Sequence, residues 1–317
     1  MSANRAFRVA STLGLATTLF AFALIVIGSV VRTTGSGLAC PDWPLCQGRI
    51  IPPLQFNVMI EWCHRMVALL VSLSILSLAG WSLSQGPLRR RLGGLAVLAV
   101  ALLAAQVLLG ALTVWKLLDP SVVSGHLAVA LLLFATLLCY TLVAQRAGDA
   151  ETIDIGAVRP AGLRPVFFGA TALTFVQALL GGMVSTHHAG LACPEWPTCN
   201  GQWFPPLEGL VGLHMMHRFG AYLLTATVIV AASMARTAPD PGIRAGSRMA
   251  LTLVAAEVVL GVCNVFLGTP AWLSAAHLAT AVAVFAVLIT TTFRVAALPA
   301  PAPETRGGDL AARAVAR

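Results

Sequence analysis

GLACPDWPLCQG, residues 37–48, returns as GLACPEWPTCNG at residues 190–201. The same offset in residue number also aligns two His-Arg pairs, one after each of these segments. Self-similarity at a fixed spacing is the mark of an internal repeat. The sequence therefore predicts two copies of one unit, which we call the first half (1–150) and the second half (151–317).

The composition places both halves in a membrane. Hydrophobic residues make up 58% of the chain and charged residues only 10%, whereas a typical soluble domain carries about 25% charged residues. The formal net charge of +8 does not indicate a nucleic-acid-binding protein, because the basic residues lie in short segments between apolar runs. That placement is typical of membrane topology signals.

Stretches almost free of charge predict eight transmembrane helices, since a helix needs about 20 apolar residues to cross a bilayer. With four helices in each copy, the two copies share one orientation in the membrane. We therefore predict an all-α membrane protein of two duplicated four-helix bundles, related by a pseudo-two-fold axis along the membrane normal. The predicted helices lie near residues 10–31, 58–83, 92–115, 122–144, 165–185, 212–235, 248–267 and 272–295.

Most of the 20 basic residues fall on one side of this arrangement. Because basic residues concentrate in cytoplasmic loops, both termini and a tail from about residue 296 are predicted to be cytoplasmic. Two long loops, 32–57 and 186–211, then face outward. The basic residues on the cytoplasmic side are Arg5, Arg8, Arg89, Arg90, Arg91, Arg146, Arg159, Arg164, Arg236, Arg244, Arg248, Arg294, Arg306, Arg313 and Arg317.

Four histidines occupy matching places, each near the outer start of a predicted helix: His64, His126, His217 and His277. Each is expected roughly 7–8 Å deep at 1.5 Å per residue. An ionisable side chain at that depth is costly and implies a partner. Two facing imidazoles in a four-helix bundle suit the axial ligation of a haem, whereas zinc usually requires further ligands. The alternative is a hydrogen bond from each histidine to a neighbouring helix.

Glu61 distinguishes the two halves. It lies three residues before His64, so both share a helix face, while its counterpart in the second half is His214. A carboxylate beside a haem ligand could act as an acid or base or stabilise charge near the porphyrin. The alternative is a carboxylate at the membrane interface. This asymmetry indicates that the first half performs chemistry and that the second half carries electrons.

Other polar residues are candidates for supporting roles. Arg65 and Arg218 each directly follow a predicted ligand. We predict that they bind porphyrin propionates. The alternative is that they extend toward the lipid headgroups. Gln106 and Glu257 match each other across the repeat. We interpret them as interhelical hydrogen-bonding residues rather than residues of a site.

Two cysteine pairs lie in the long outer loops. The outer face is oxidising, so disulfides Cys40–Cys46 and Cys193–Cys199 are the default prediction. A redox-active pair is the alternative.

These residues together resemble the haem A synthase family over about residues 10–295. The features that carry the resemblance are the sequence Glu61-x-x-His64-Arg65, the paired histidines of each half and the two outer cysteine pairs. The resemblance implies oxidation of the C8 methyl group of haem O to a formyl group, which gives haem A for terminal oxidases. It also implies an enzyme of the cell membrane.

The resemblance further implies roles for particular residues. It places a haem b cofactor at His217 and His277. It places the substrate haem in the first half, at His64 and His126 with Glu61. It links Cys40 and Cys46 to activity. Its implied partners are haem O as substrate, haem O synthase, and an electron acceptor or quinone, within a lipid environment and without nucleic acid.

The residues themselves leave other classes open. A di-haem b-type cytochrome could pass electrons between quinol and an outer partner, although Glu61 and the asymmetry favour an enzyme. A thiol:quinone oxidoreductase is disfavoured by the Cys-x5-Cys spacing and the four histidines. A transporter is disfavoured by histidines paired at one depth.

Overall fold

A computed structural model describes residues 2–149 and 160–299. Several predictions concern residues outside these ranges: the boundary between the halves at residue 150, the tail beyond residue 299, and Arg159, Arg306, Arg313 and Arg317. The described residues form eight long α-helices: α1 Ala3–Thr33, α2 Phe56–Ser84, α3 Gly86–Trp115, α4 Pro120–Gly148, α5 Leu163–Thr186, α6 Gly209–Ala235, α7 Pro241–Phe266 and α8 Ala271–Ala297. A short 3-10 helix, Ala189–Leu191, follows α5.

All eight helices are long and apolar enough to cross a membrane, with mean hydropathy between 1.4 and 2.6 over their most apolar windows. The predicted all-α, multi-pass membrane fold is therefore confirmed. Several helices begin earlier than predicted; α7, for example, starts at Pro241 rather than near 248. Pro241 occupies the first turn, and the Asp240 side chain accepts a hydrogen bond from the Gly242 amide at 2.6 Å. Charge-free windows locate the bilayer segment, whereas such caps decide where a helix starts.

Each half closes into a four-helix bundle. In the first half, α1 and α3 each pack against both α2 and α4, and the second half repeats this pattern with α5 to α8. The halves meet through α1 against α8, α4 against α5, and α4 against α8. These are the contacts of a pseudo-two-fold axis between α4 and α8, so the predicted pair of duplicated bundles is confirmed.

A shared apolar core fills the interface between the halves. It contains residues of α1 to α5 and α8. Two equivalent aromatic pairs belong to it: Phe22–Phe134, with ring centroids 6.4 Å apart, and Phe175–Phe285, at 6.1 Å. On one side of this core, Arg32 of α1 donates a hydrogen bond to the carbonyl of Ser185 on α5.

Because the helices alternate in direction, both disulfide loops, residues 34–55 and 187–208, lie on one side of the protein. We call this side the disulfide face. Helices α2, α4, α6 and α8 all begin there. The four matching histidines lie near the start of these helices, so the fold gathers them toward one side of the membrane.

Candidate functional site

The structure brings the histidines together in the predicted pairs. His64 on α2 and His126 on α4 belong to the bundle of the first half, and His217 on α6 and His277 on α8 belong to that of the second half. Each histidine lies about 9–12 Å along the axis from the first residue of its helix. This is further than the predicted 7–8 Å, because the helices start earlier than the charge-free windows indicated.

The second pair has the geometry of two axial ligands. The imidazole centroids of His217 and His277 are 6.4 Å apart and the rings are perpendicular, at 90°. Two imidazoles that bind one metal ion from opposite sides have ring centres roughly 6 Å apart, because each metal–nitrogen bond is about 2 Å. The spacing therefore fits one iron ion between the rings.

The set of possible ligands favours haem over a bare metal ion. In the described part of the chain, no group of three or more His, Cys, Asp or Glu side chains could hold a metal ion. Structural zinc needs four such ligands, whereas haem iron needs only axial ligands from the protein. Within the same residues, the buried Nδ1 atoms of His64 and His126 have no hydrogen-bond partner. Unpaired buried nitrogens are expected where a ligand completes the site.

Four glycines form a cradle for these rings. Each lies on an odd-numbered helix with its α-carbon against one imidazole, so close that an added Cβ would meet the ring's Cε1 atom. Those Cβ–Cε1 distances are 3.3 Å for Gly28 and His64, 3.4 Å for Gly110 and His126, 3.0 Å for Gly181 and His217, and 3.1 Å for Gly261 and His277. An added Cβ would crowd the imidazole at Gly28, Gly181 and Gly261, and the fit is tighter in the second half.

No role for these glycines was predicted from the sequence. Gly28 and Gly181 are separated by the same offset as the disulfide loops, and Gly110 and Gly261 by that of His126 and His277. These repeat offsets could have indicated that the glycines of each pair have the same role.

Polar side chains of the odd-numbered helices contact three of the four imidazoles. Gln106 Nε2 lies 3.2 Å from His126 Nε2, and Gln177 Nε2 lies 3.0 Å from His217 Nδ1. Glu257 Oε1 lies 3.1 Å from His277 Nδ1. Gln106 and Glu257 are thus interhelical, as predicted, and each contacts a histidine of a predicted pair.

Glu61 lies beneath the first disulfide loop. Its side chain is buried, with 4% of the residue exposed. Oε2 accepts a hydrogen bond from the Cys40 amide at 2.8 Å, and Oε1 pairs with Arg65 at 2.6 Å. The carboxylate thus connects the disulfide loop to the turn of α2 that carries His64. The interfacial alternative does not fit such a buried, fully bonded carboxylate.

Arg65 and Arg218 use their guanidinium donors to hold the disulfide loops. Arg65 donates to the carbonyls of Asp42, Leu45 and Cys40 at 2.5–2.8 Å. Arg218 donates to the carbonyls of Thr198 and Cys193 at 2.9 and 2.7 Å. The observed contacts show that both arginines hold the disulfide loops in place. Their binding of propionates stays a prediction.

The two halves differ in how the charge of this arginine is balanced. Among the described residues, Arg65 has the carboxylate of Glu61 as its ion-pair partner, whereas Arg218 has none. His214, at the position equivalent to Glu61, is buried and interacts with the backbone of Ala189.

Both predicted disulfides, Cys40–Cys46 and Cys193–Cys199, are present. Asp42 organises the first loop, because its carboxylate accepts hydrogen bonds from the Gln47 and Gly48 amides at 2.5 and 2.7 Å. The Gly48 amide is the main cause that lowers the pKa of Asp42 below its ordinary value. Glu195 accepts an equivalent bond from Gly201 in the second loop.

Fold and site define a class: a duplicated membrane protein with a histidine pair in each four-helix bundle, of which the second pair has the spacing of two axial ligands. The sequence profile of the family described as "Cytochrome oxidase assembly protein" (COX15-CtaA) matches residues 11–57 and 54–289. The chain therefore belongs to this family.

Several similar proteins are named "Heme A synthase". That of Symbiobacterium thermophilum is 32% identical over 253 residues, covering 78% of this chain and 82% of its own length. That of Methylobacterium radiotolerans is 31% identical over 312 residues and covers 83% of both chains. That of Geobacillus kaustophilus is 28% identical over 304 residues, covering 93% of this chain and 95% of its own.

Proposed function

We propose that the chain is a haem A synthase, an enzyme that oxidises the C8 methyl group of haem O to a formyl group. The observation that carries the proposal is the ligand-like spacing of His217 and His277 in a chain similar to Heme A synthases over most of its length. We assign the substrate haem to the first half, at His64 and His126, and a haem b cofactor to the second half, at His217 and His277.

The asymmetry around Glu61 supports this division. Oxidation of a methyl carbon removes protons and electrons and adds an oxygen atom. Among the described residues, Glu61 is the carboxylate that forms an ion pair with Arg65, and it lies one helical turn from His64. It is placed to take a proton released from the substrate or to stabilise positive charge that develops there. His214 stands at this position in the second half, so only the first half carries the carboxylate.

The remaining residues of the first half orient this group. The disulfide Cys40–Cys46 fixes the loop whose Cys40 amide binds Glu61, and Arg65 binds both the loop and the carboxylate. We infer that Cys40 and Cys46 support activity by holding Glu61 in place. His217 and His277 would hold the haem b, which would supply electron transfer there, and a quinone or another acceptor would take up the electrons of the oxidation.

Pigment analysis tests the division between the halves. The protein is purified from cells that make haem O, and its haems are extracted and separated by chromatography. We expect haem B together with haem O or haem A in the unaltered chain. His217→Ala should lose haem B, whereas His64→Ala should keep it and produce no haem A. His187→Ala, which alters an exposed histidine of the second loop, is the control and should match the unaltered chain.

Haem B alone, in both halves, would instead identify a b-type cytochrome. Equal haem loss in His64→Ala and His217→Ala would contradict the division of labour. Glu61→Gln tests the chemistry separately: we expect haem A output to fall by about 10²-fold or more while haem B content stays unchanged. Near-normal haem A output would remove Glu61 from the catalytic residues.

A further inference from the structure

The polar contacts of the histidines are not shared equally between the halves. In the second half, His217 contacts Gln177 and His277 contacts Glu257. In the first half, the residue equivalent to Gln177 is Leu24, and the residue equivalent to Glu257 is the neutral Gln106. Histidine ligands that are identical in both halves therefore have different surroundings.

Gln177 is built firmly into the second half. It is buried, with 8% exposed, and its Nε2 atom donates to the His217 carbonyl at 2.8 Å as well as contacting the ring nitrogen at 3.0 Å. Its Oε1 atom lies against Gly220 of α6, where any larger side chain would collide with it. The residue equivalent to Gly220 in the first half is Val67.

The space beside the ligand is thus filled in two different ways. The second half uses the polar pair Gln177 and Gly220, whereas Leu24 and Val67 of the first half pack against the apolar core. The two residues change together between the copies, because the amide needs the room that glycine leaves. The same four-helix bundle forms with Gln177 and Gly220 in one half and with Leu24 and Val67 in the other. We infer that folding does not require Gln177.

Outer contacts of this kind control how firmly a ligand holds its metal. A polar partner fixes the orientation of an imidazole, and a carboxylate at its second nitrogen, as Glu257 is for His277, also raises its basicity. Gln177 donates from Nε2, so its part is to hold the orientation of His217, chiefly through the bond to the His217 carbonyl. Losing a partner of this kind typically weakens metal affinity by about 10–100-fold. The glycine cradle follows the same trend, since the Cβ–Cε1 distances are 3.0 and 3.1 Å in the second half and 3.3 and 3.4 Å in the first.

We propose that Gln177 and Glu257 are positioning residues that make the haem of the second half resident, and that the apolar Leu24 and neutral Gln106 leave the first half able to exchange its haem. The inference rests on the proposed function, in which the first half must admit its substrate and release its product. A catalyst whose two halves held haem equally firmly would retain its own product.

The test transplants the surroundings of the first half into the second. Gln177→Leu with Gly220→Val copies Leu24 and Val67, and Glu257→Gln copies Gln106. All variants are made in full-length protein that carries His64→Ala, so that only the second half binds haem firmly. The rate at which haem B passes to excess apomyoglobin is measured from the change in Soret absorption.

We expect haem B release to accelerate by about 10–100-fold for each lost polar partner. The low-spin electron paramagnetic resonance signal should shift as well, because the rings lose their fixed orientation. Two matched controls remove polar bonds without touching the ligands: Thr174→Val, on the same helix as Gln177, and Ser274→Ala, which breaks another bond between α7 and α8. Both should release haem at the unaltered rate.

The reciprocal exchange keeps the inference testable should the transplanted second half fail to fold. In a His217→Ala background, Leu24→Gln with Val67→Gly should slow the release of added haem B from the first half by a similar factor. Release rates equal to the controls in either direction would overturn the inference. Failure of the proposed function looks different: haem B would then be absent from His64→Ala protein, or would persist when His217 is replaced.

Discussion

Replacing Gly181 by alanine tests whether the glycine cradle sets the position of a ligand. An added Cβ at this position would lie 3.0 Å from Cε1 of His217, 3.6 Å from Nδ1 and 3.7 Å from Nε2. Carbon atoms reach their best contact at about 3.5–4.0 Å, so the imidazole would have to retreat by a few tenths of an ångström. Gln177 binds both this ring and its backbone carbonyl, which opposes that retreat.

The same helix offers a matched control. Gly169 is exposed, and an added Cβ there would meet nothing within 4 Å. Alanine favours a helix over glycine by up to about 1 kcal/mol, so Gly169→Ala should leave the protein unchanged or slightly stabilise it. Gly181→Ala gains the same helix propensity but overpacks the ligand, which typically costs about 1–3 kcal/mol.

The net effect should appear in haem binding. A loss of about 1.4 kcal/mol corresponds to a tenfold weaker affinity, so we expect Gly181→Ala to bind haem B about 10-fold more weakly than Gly169→Ala. Gly28→Ala, with its wider 3.3 Å distance to His64, should have a smaller effect. Titration of purified apoprotein with haem B, followed by its absorption spectrum, measures both. Equal affinities for Gly181→Ala and Gly169→Ala would refute the idea that this glycine positions His217.

Three further predictions concern the disulfide face and the orientation of the chain. Arg65→Lys keeps the charge but loses the planar fork, so it should destabilise the protein by at least about 1.5 kcal/mol in thermal unfolding, and by more than Arg218→Lys, which gives up fewer bonds. The depressed pKa of Asp42 means that its carboxylate stabilises the first loop above its ordinary pKa of about 4. That stabilisation is lost as the pH falls below this value, so reduction of Cys40–Cys46 by a phosphine should accelerate there, but not in Asp42→Asn. Reporter fusions within residues 146–164 should report a cytoplasmic location, and a signal from outside the cell would reverse the proposed orientation.

The helices could be predicted from the sequence because the bilayer imposes a simple rule. A span must be long, apolar and almost free of charge, so charge-free windows located all eight helices. Their first residues were less predictable, because a helix begins where a cap satisfies its amides and not where the bilayer begins. Asp119, for example, caps α4 through the amides of Ser121 and Val122, so the helix begins at Pro120, two residues before the predicted start.

The ligand pairs were predictable for a different reason. His64 and His217 are separated by the same offset as the disulfide loops, so the repeat itself marks them as equivalent. The hydrogen bond from the Cys40 amide to Glu61 was not predictable, since it depends on how an irregular loop folds back over α2. Gln177 was missed because its counterpart is Leu24, and a search for matching residues passes over a position where the copies differ.

In a duplicated protein, the positions at which the two copies differ are as informative as those at which they match. The four histidines are the same in both copies, so ligand identity cannot explain why one half would bind a substrate and the other a cofactor. Any difference in task must arise where the copies diverge: Glu61 against His214, Gln177 against Leu24, and Glu257 against Gln106. Glu61 and His214 each lie one helical turn from a histidine of their own helix. Gln106, Gln177 and Glu257 each contact a histidine of a neighbouring helix. The repeat thus locates the two sites through the residues that both copies share. Under the proposed function, the chemistry of the two sites differs because of the residues at which the copies differ.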